Sequence, residues 1–159
     1  YINDARICEA VAQMLTRNGI PTKVVTMPKN VYFKRASKGG PNKSPEFSFV
    51  LVGWGSGTGE SSSPLKSLLA THDKSKGMGA SNRGRHANPM MDEVLLKALA
   101  TVDDKERGTL LAKATEIGIG EDQGIIPLHY QVNTWATRPG LKYNARADER
   151  TVGLDLVKE

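Results

Sequence analysis

The residue types able to do chemistry in this chain do not converge. His72, His86 and His129 lie in three separate segments with neither H-x-x-x-H nor H-E-x-x-H spacing, and the single cysteine, Cys8, has no second thiolate to join it. A structural or catalytic zinc needs three or four such ligands aimed at one point, so no metal site is expected. Asp103-Asp104 and Glu121-Asp122 pair carboxylates, but at predicted helix ends, where acidic side chains complement the dipole or face water. A nucleophile elbow requires G-x-S-x-G, whereas Gly55-Ser56-Gly57 has no intervening residues. Gly53-Trp-Gly-Ser-Gly-Thr-Gly59 contains G-x-G-x-G, but not the G-x-G-x-x-G that opens a helix on a pyrophosphate, and no Gly-Lys-Ser/Thr follows it. No catalytic residue and no cofactor is therefore assigned, and the chain is not expected to be an enzyme. What remains is binding. Glycines let a backbone come close to a ligand, and Trp54 is the only large side chain in the loop from Gly53 to Ser63.

The elements that must position this loop follow from periodicity. Ile7, Val11 and Leu15, with Ala10 and Met14, recur at helical spacing and Gly19 follows as a stop, which predicts an amphipathic helix over 3–18. Cys8 sits on that stripe and reads as a buried, inert thiol. The β-branched run 21–27, closed by Pro28, predicts a short strand, and Asn30 offers an N-cap for a short helix carrying Tyr32 and Phe33. Residues 38–45 form a loop on their glycines and prolines. The continuous apolar run 47–52 predicts a buried strand that opens into the glycine loop. Pro64 starts a helix through Leu65, Leu68 and Leu69, and 74–85 is polar, glycine-rich and irregular.

Asn88-Pro89 is a helix start, because the Asn side chain accepts from orphan amides and Pro at the first position gives up no needed donor. Met91, Val94, Leu95 and Ala98 line that helix's inner face. Thr101-Val-Asp-Asp104 resembles a capping box for the next helix, whose stripe is Leu110, Leu111, Ala114 and Ile117. Gly124 to Val132 predicts a strand with Pro127 at an edge, entry point or bulge, and 151–157 offers one more. Strands alternating with helices make the fold class α/β, a mostly buried sheet flanked by helices.

A chain of 159 residues with 38 % apolar content has enough material for one core. It contains no run of about 18 apolar residues that would span a membrane. It opens on Tyr1, just ahead of a predicted helix and with no signal-peptide pattern before it, and is expected to be a fragment or a processed product. The net charge of +5 is concentrated in 23–43 and 74–85. A nucleic-acid groove wants basic residues interleaved with stacking aromatics, and only Tyr32 and Phe33 stand near the first cluster, so no nucleic-acid partner is expected.

Five phrases in order resemble one family. They are Asn18-Gly-Ile-Pro21, the apolar run 47–52 ending in Gly53-Trp54, Ser81-Asn-Arg-Gly-Arg-His-Ala-Asn-Pro-Met-Met-Asp92, Thr101-Val-Asp-Asp-Lys-Glu-Arg107 and Gly124-Ile-Ile-Pro-Leu-His129. Together they are similar to the extracellular solute-binding proteins of dipeptide and oligopeptide ABC transporters. The resemblance implies a lobe of the type II periplasmic-binding-protein fold, a mixed sheet flanked by helices, as an incomplete fragment of a two-lobe protein that closes on its ligand like a hinged clamp. It implies that residues 1–130 form most of the second lobe and 131–159 return toward the first, crossing near Gln131.

It implies capture of a peptide or another small solute for ABC-transporter permease subunits, in the periplasm or outside the cell, with a lipoprotein tether an option. The full-length protein is then expected to be monomeric, and this fragment to self-associate through an open sheet edge. The ligand-binding residues so assigned are Trp54, Gly55, Ser56, Gly57, Asn82, Arg83 and Gln131. In peptide-binding members an aspartate three residues after the tryptophan pairs with the ligand's α-ammonium. That position is Gly57 here, with Glu60 a distant substitute. Two alternatives stay open on the residues: a basic-faced interaction module, and a small-molecule domain unrelated to transport. The loop itself reads either as a docking surface or as a connection with Trp54 folded into the core.

Overall fold

The computed structural model describes residues 1–47, 49–146 and 148–159. Helix α1 (Asp4–Arg17) matches the amphipathic stripe and ends at Asn18, whose Nδ2 donates to Met14 O (2.8 Å) before Gly19 turns at φ 83°. Cys8 is half-buried on it, and desolvation, followed by the negative Asp4, pushes its thiol up and keeps it protonated. Helix α2 (Lys29–Lys38) begins directly after Pro28, one residue before the expected cap. Asn30 lies inside the first turn, where its Oδ1 accepts from Val31 N (2.9 Å). Proline fixes an extended entry without a side-chain cap, so the helix starts against it.

The core is built by the second half of the described chain. A single turn, α3 (Ser62–Pro64), runs into a wider π-type turn, Leu65–Leu69, closed by Ala70 N donating to Leu65 O (2.9 Å). Helix α4 (Pro89–Ala100) starts as its sequence demands: Asn88 Oδ1 accepts from Met90 N (3.0 Å) and Met91 N (3.1 Å). Helix α5 (Asp104–Thr115) is capped by Asp103, whose Oδ1 accepts from Glu106 N (2.8 Å). The capping residue therefore lies two positions later than Thr101, and Asp103 with Glu106 at N3 has the S/T/D-x-x-E form more closely.

A second π-type turn, Glu116–Glu121, extends α5. Leu65, Leu69, Ala70, Met78, Met91, Leu95, Ala98, Leu111, Ala114 and Ile117 interlock as one buried cluster. At Gly118 a Cβ would lie 2.6 Å from Met91 Sδ, so only glycine lets the second π turn close onto α4.

The sheet is smaller than the sequence predicts. The strands among the described residues are β1 (Leu141–Tyr143) and β2 (Leu156–Lys158), an antiparallel pair with Lys142 opposite Val157. Segments 21–27, 49–52 and 124–132 join no sheet and form no strand, with bends at Phe49, Gly124 and Ile125, and Ser48 of the predicted run 47–52 lies outside the described residues. The physical reason is that a strand exists only through its ladder neighbours, and none of the three has one here. In the last segment Ile126, Leu128, Tyr130 and Val132 are exposed at a spacing of two, Tyr130 almost completely at 98 %.

Of the predicted strand 151–157, only its end is in β2. Around this small sheet Trp135 packs at 5.5 Å on Tyr143 and donates from Nε1 to Thr151 Oγ1 (3.0 Å), while Tyr143 Oη donates to Arg150 O (2.9 Å). Beside it, Asp148 is held down to about 2 by hydrogen bonds from Arg146.

Candidate functional site

The glycine loop is fixed at both ends and open between them. At its entry, Tyr32 on α2 donates from Oη to Leu51 O (2.6 Å), and the Tyr1 ring lies where a Cβ on Gly53 would be, at 2.7 Å. At its exit, Glu60 receives Arg107 Nε on Oε2 (2.7 Å) and Arg107 Nη2 on Oε1 (2.6 Å), with Ser62 Oγ also donating to Oε1. The remaining Arg107 nitrogen, Nη1, donates to Ala98 O at the end of α4 (2.8 Å). Between these anchors the arch makes few bonds of its own, among them Ser56 Oγ with Thr58 Oγ1 (3.1 Å) and Gly59 N to Ser56 O (3.3 Å). Trp54 is 43 % exposed, so its indole is not sealed in the core. A Cβ placed at Gly55 or Gly57 would meet nothing within 4 Å.

Two hollows of the described residues lie away from this loop. One of about 380 Å³ runs along α1 by Ala12, Thr16 and Thr22, and one of about 510 Å³ lies by Asn30, Lys34, Arg35 and Glu46 on α2. The arch is an accessible surface and lines neither hollow. No group of three His, Cys, Asp or Glu side chains among the described residues is close enough to hold a metal ion. No helix among them is long and apolar enough to cross a membrane.

The other residues singled out by sequence are placed as follows. Asn82 is buried, and its amide is consumed within the fold: Nδ2 donates to Ala70 O (2.9 Å) and His86 O (2.7 Å), while Oδ1 accepts from His86 N (3.0 Å). It holds a loop in which Arg85 takes a left-handed φ of 56°, a conformation costing roughly 1–2 kcal/mol for a residue with a Cβ. Arg83 lays its guanidinium 5.7 Å from the centre of the Phe33 ring, and its Nε is buried without a partner among the described residues. Phe33 adjoins Tyr32, ring centres 5.0 Å apart, so α2 links Arg83 to the loop's entry. Gln131 is exposed, with Nε2 turned back to Val132 O (3.1 Å). The structure thus ties Arg83 and the arch to one aromatic patch, and records no bond between Gln131 and either.

Glu60 corrects one expectation. As a distant substitute for the missing aspartate it would need a free carboxylate, but the Arg107 hydrogen bonds, and then that of Ser62, hold it down at about 2 from an ordinary 4.5. A depressed folded value means that the contribution is complete above about pH 4.5 and lost as pH falls toward 2. In urea titrations of the full-length protein, the stability gap between wild type and Glu60→Gln is expected to close across that window. A gap independent of pH would contradict the pairing.

Residues the sequence reading passed over also matter. Asp122, expected to face solvent or the dipole, accepts from Asn88 Nδ2 and His86 Nε2 (2.7 Å each), and these bonds lower its carboxyl below the usual range. His86 Nδ1 lies 2.7 Å from Leu69 O. The two partners of the His86 ring are 17 and 36 residues from it, so no local spacing exposes them.

Comparison with known proteins bears on the whole chain. An oligopeptide-binding protein (OppA) of Bacillus subtilis is 27 % identical over 139 residues, 87 % of this chain and 23 % of its own length. The chain is similar to oligopeptide-binding proteins. Periplasmic oligopeptide-binding proteins of Salmonella typhimurium, 28 % identical over 93 residues, and Haemophilus influenzae, 35 % identical over 63, match 58 % and 40 % of it. The chain spans less than a quarter of the length of each of these relatives. No protein-family model matches it, and no solved structure does. The overall architecture is mixed, mainly helical with a small two-stranded sheet, and is compatible with part of an α/β protein.

Proposed function

We propose that this chain is most of one ligand-binding lobe of a solute-binding protein, capturing a peptide or similar small solute outside the cytoplasm for an ABC importer. The carrying observation is the half-exposed Trp54 on an arch of unobstructed glycines, anchored at both ends to neighbouring helices. The printed names of the relatives, oligopeptide-binding proteins, support the ligand class.

Function here is noncatalytic. The ligand is held between two lobes, and this lobe contributes the face of Trp54 and the backbone groups of Gly55, Ser56 and Gly57. Arg83 and Gln131 flank them, and Asn82 shapes the loop that carries Arg83. Closure of the lobes then presents the loaded protein to the permease subunits. Residues 1–130 supply the lobe and 131–159 the return.

The three segments outside the sheet fit this reading. A row of exposed apolar side chains at period two, from Ile126 to Val132, has the pattern of a strand made to be covered, and in the complete protein the three segments are strands of its sheet. A lone lobe holds only half the contacts, so the fragment itself binds feebly.

The test is thermal unfolding of the full-length protein against pools of di- to pentapeptides. A ligand at a hundred times its Kd stabilises by about 2.7 kcal/mol, several degrees in Tm. A pool that raises Tm supports the reading. No response to any pool, with steeply salt-dependent retention on heparin, would replace it with the basic-faced module.

A further inference from the structure

We infer that Glu60 and Arg107 form a clamp that sets the position and mobility of the glycine arch, making both of them positioning residues for the site built around Trp54. The inference rests on the proposed docking role of that arch, but its geometry is independent of any ligand. From Gly53 to Gly59 the backbone has little to hold it: a Cβ at Gly55 or Gly57 would meet nothing within 4 Å, and Gly59 sits at φ 74°. A segment with few internal bonds takes its position from its ends.

The entry is held through one hydrogen bond, from Tyr32 to Leu51 O. The exit is held by a planar fork. Arg107 offers Nε and Nη2 in parallel to the two oxygens of Glu60, and its third nitrogen donates to Ala98 O in the last turn of α4. The two side chains are each about three-quarters covered, at 22 % and 29 % exposure, which limits the freedom of the pair. A bidentate fork fixes direction as well as distance, which a single ammonium cannot do.

Arg107 also stands one turn into α5, whose start is fixed by the Asp103 cap. The arch exit is therefore referenced to helices α4 and α5, which carry Leu95, Ala98, Leu111 and Ala114 of the core, across 47 residues of sequence. The partition is informative. Glu60 and Arg107 touch no surface that a ligand on Trp54 must touch, yet they decide where that surface stands.

The experiment reads Trp54 directly in the full-length protein. Every other tryptophan, Trp135 among them, is replaced by phenylalanine, and acrylamide quenching and fluorescence anisotropy of Trp54 are measured without ligand. Arg107→Ala and Arg107→Lys are each expected to raise the quenching constant about twofold and to lower the anisotropy, because neither can supply the fork. The reversed pair Glu60→Arg with Arg107→Glu is expected to recover at least half of the change. A parallel set keeping Trp135 as the reporter, with Trp54→Phe, is expected to show no shift, which separates arch loosening from general loosening.

Quenching of Trp54 unchanged in both single variants, or equal shifts at Trp54 and Trp135, overturns the clamp. That result would leave the peptide-pool test untouched, and failure of the pool test would leave the quenching result standing, so the two readings fail separately.

Discussion

Asn82→Ala is expected to lower the unfolding free energy by about 3 kcal/mol, measured by urea denaturation of the full-length protein. The side chain is buried, and its removal strands Ala70 O, His86 O and His86 N, each a backbone group that its amide now satisfies. Leaving a buried polar group without a partner costs about 1–3 kcal/mol, and the neighbouring left-handed Arg85 loses the bracket that over-determines it. The cavity left by the amide adds to the cost, and partial entry of water offsets it. Asn82→Asp is the sharper companion. It keeps an acceptor for His86 N but turns an oxygen toward two carbonyls, so its loss is expected to equal or exceed that of alanine. Ligand affinity of the folded fraction should change less than threefold in either variant, because Asn82 acts by shaping its loop. A large affinity loss with unchanged stability would instead make Asn82 a direct contact.

Gly57→Asp is expected to raise affinity for peptides with a free amino terminus by ten- to a hundredfold. The substitution is permitted by the structure: a Cβ there meets nothing within 4 Å, and Gly57 is not among the positive-φ residues. It restores the carboxylate that resembling peptide binders carry three residues after their tryptophan, and a charge-assisted bond to an ammonium is worth about 1.5–3 kcal/mol. Calorimetric titration with one peptide in free and N-acetylated forms isolates that bond. Gain confined to the free amine is the expected result. Equal gain for both forms, or none, would mean that position 57 does not face the ligand's amino end.

The helices were legible where a single residue sets a boundary. Asn88-Pro89 declares its start because cap and proline act within three residues, and Asp103 serves as cap for the same local reason, although Thr101 two positions earlier also offers a side-chain oxygen as a cap. The run 124–132 was legible as extended and apolar but not as paired, since alternation tells what a strand would bury and nothing of which strand lies beside it. The two π-type turns after Pro64 and Thr115 carry no comparable sequence mark, because they depend on how Gly118 and Leu69 pack against Met91. In the site, Trp54 and its glycines stood out as composition. Glu60–Arg107 and His86–Asp122 did not, because side-chain hydrogen bonds across 47 and 36 residues are properties of the packed chain.

The most direct measurement is calorimetric titration of the full-length protein and its Trp54→Ala variant with the peptide that most raises Tm. Truncation of an aromatic anchor at a binding surface typically costs more than about 1–2 kcal/mol, so affinity is expected to fall at least tenfold while Tm without ligand stays within about two degrees. Equal affinities in the two proteins would show that the ligand docks elsewhere, and the arch would then be a connection and not a site.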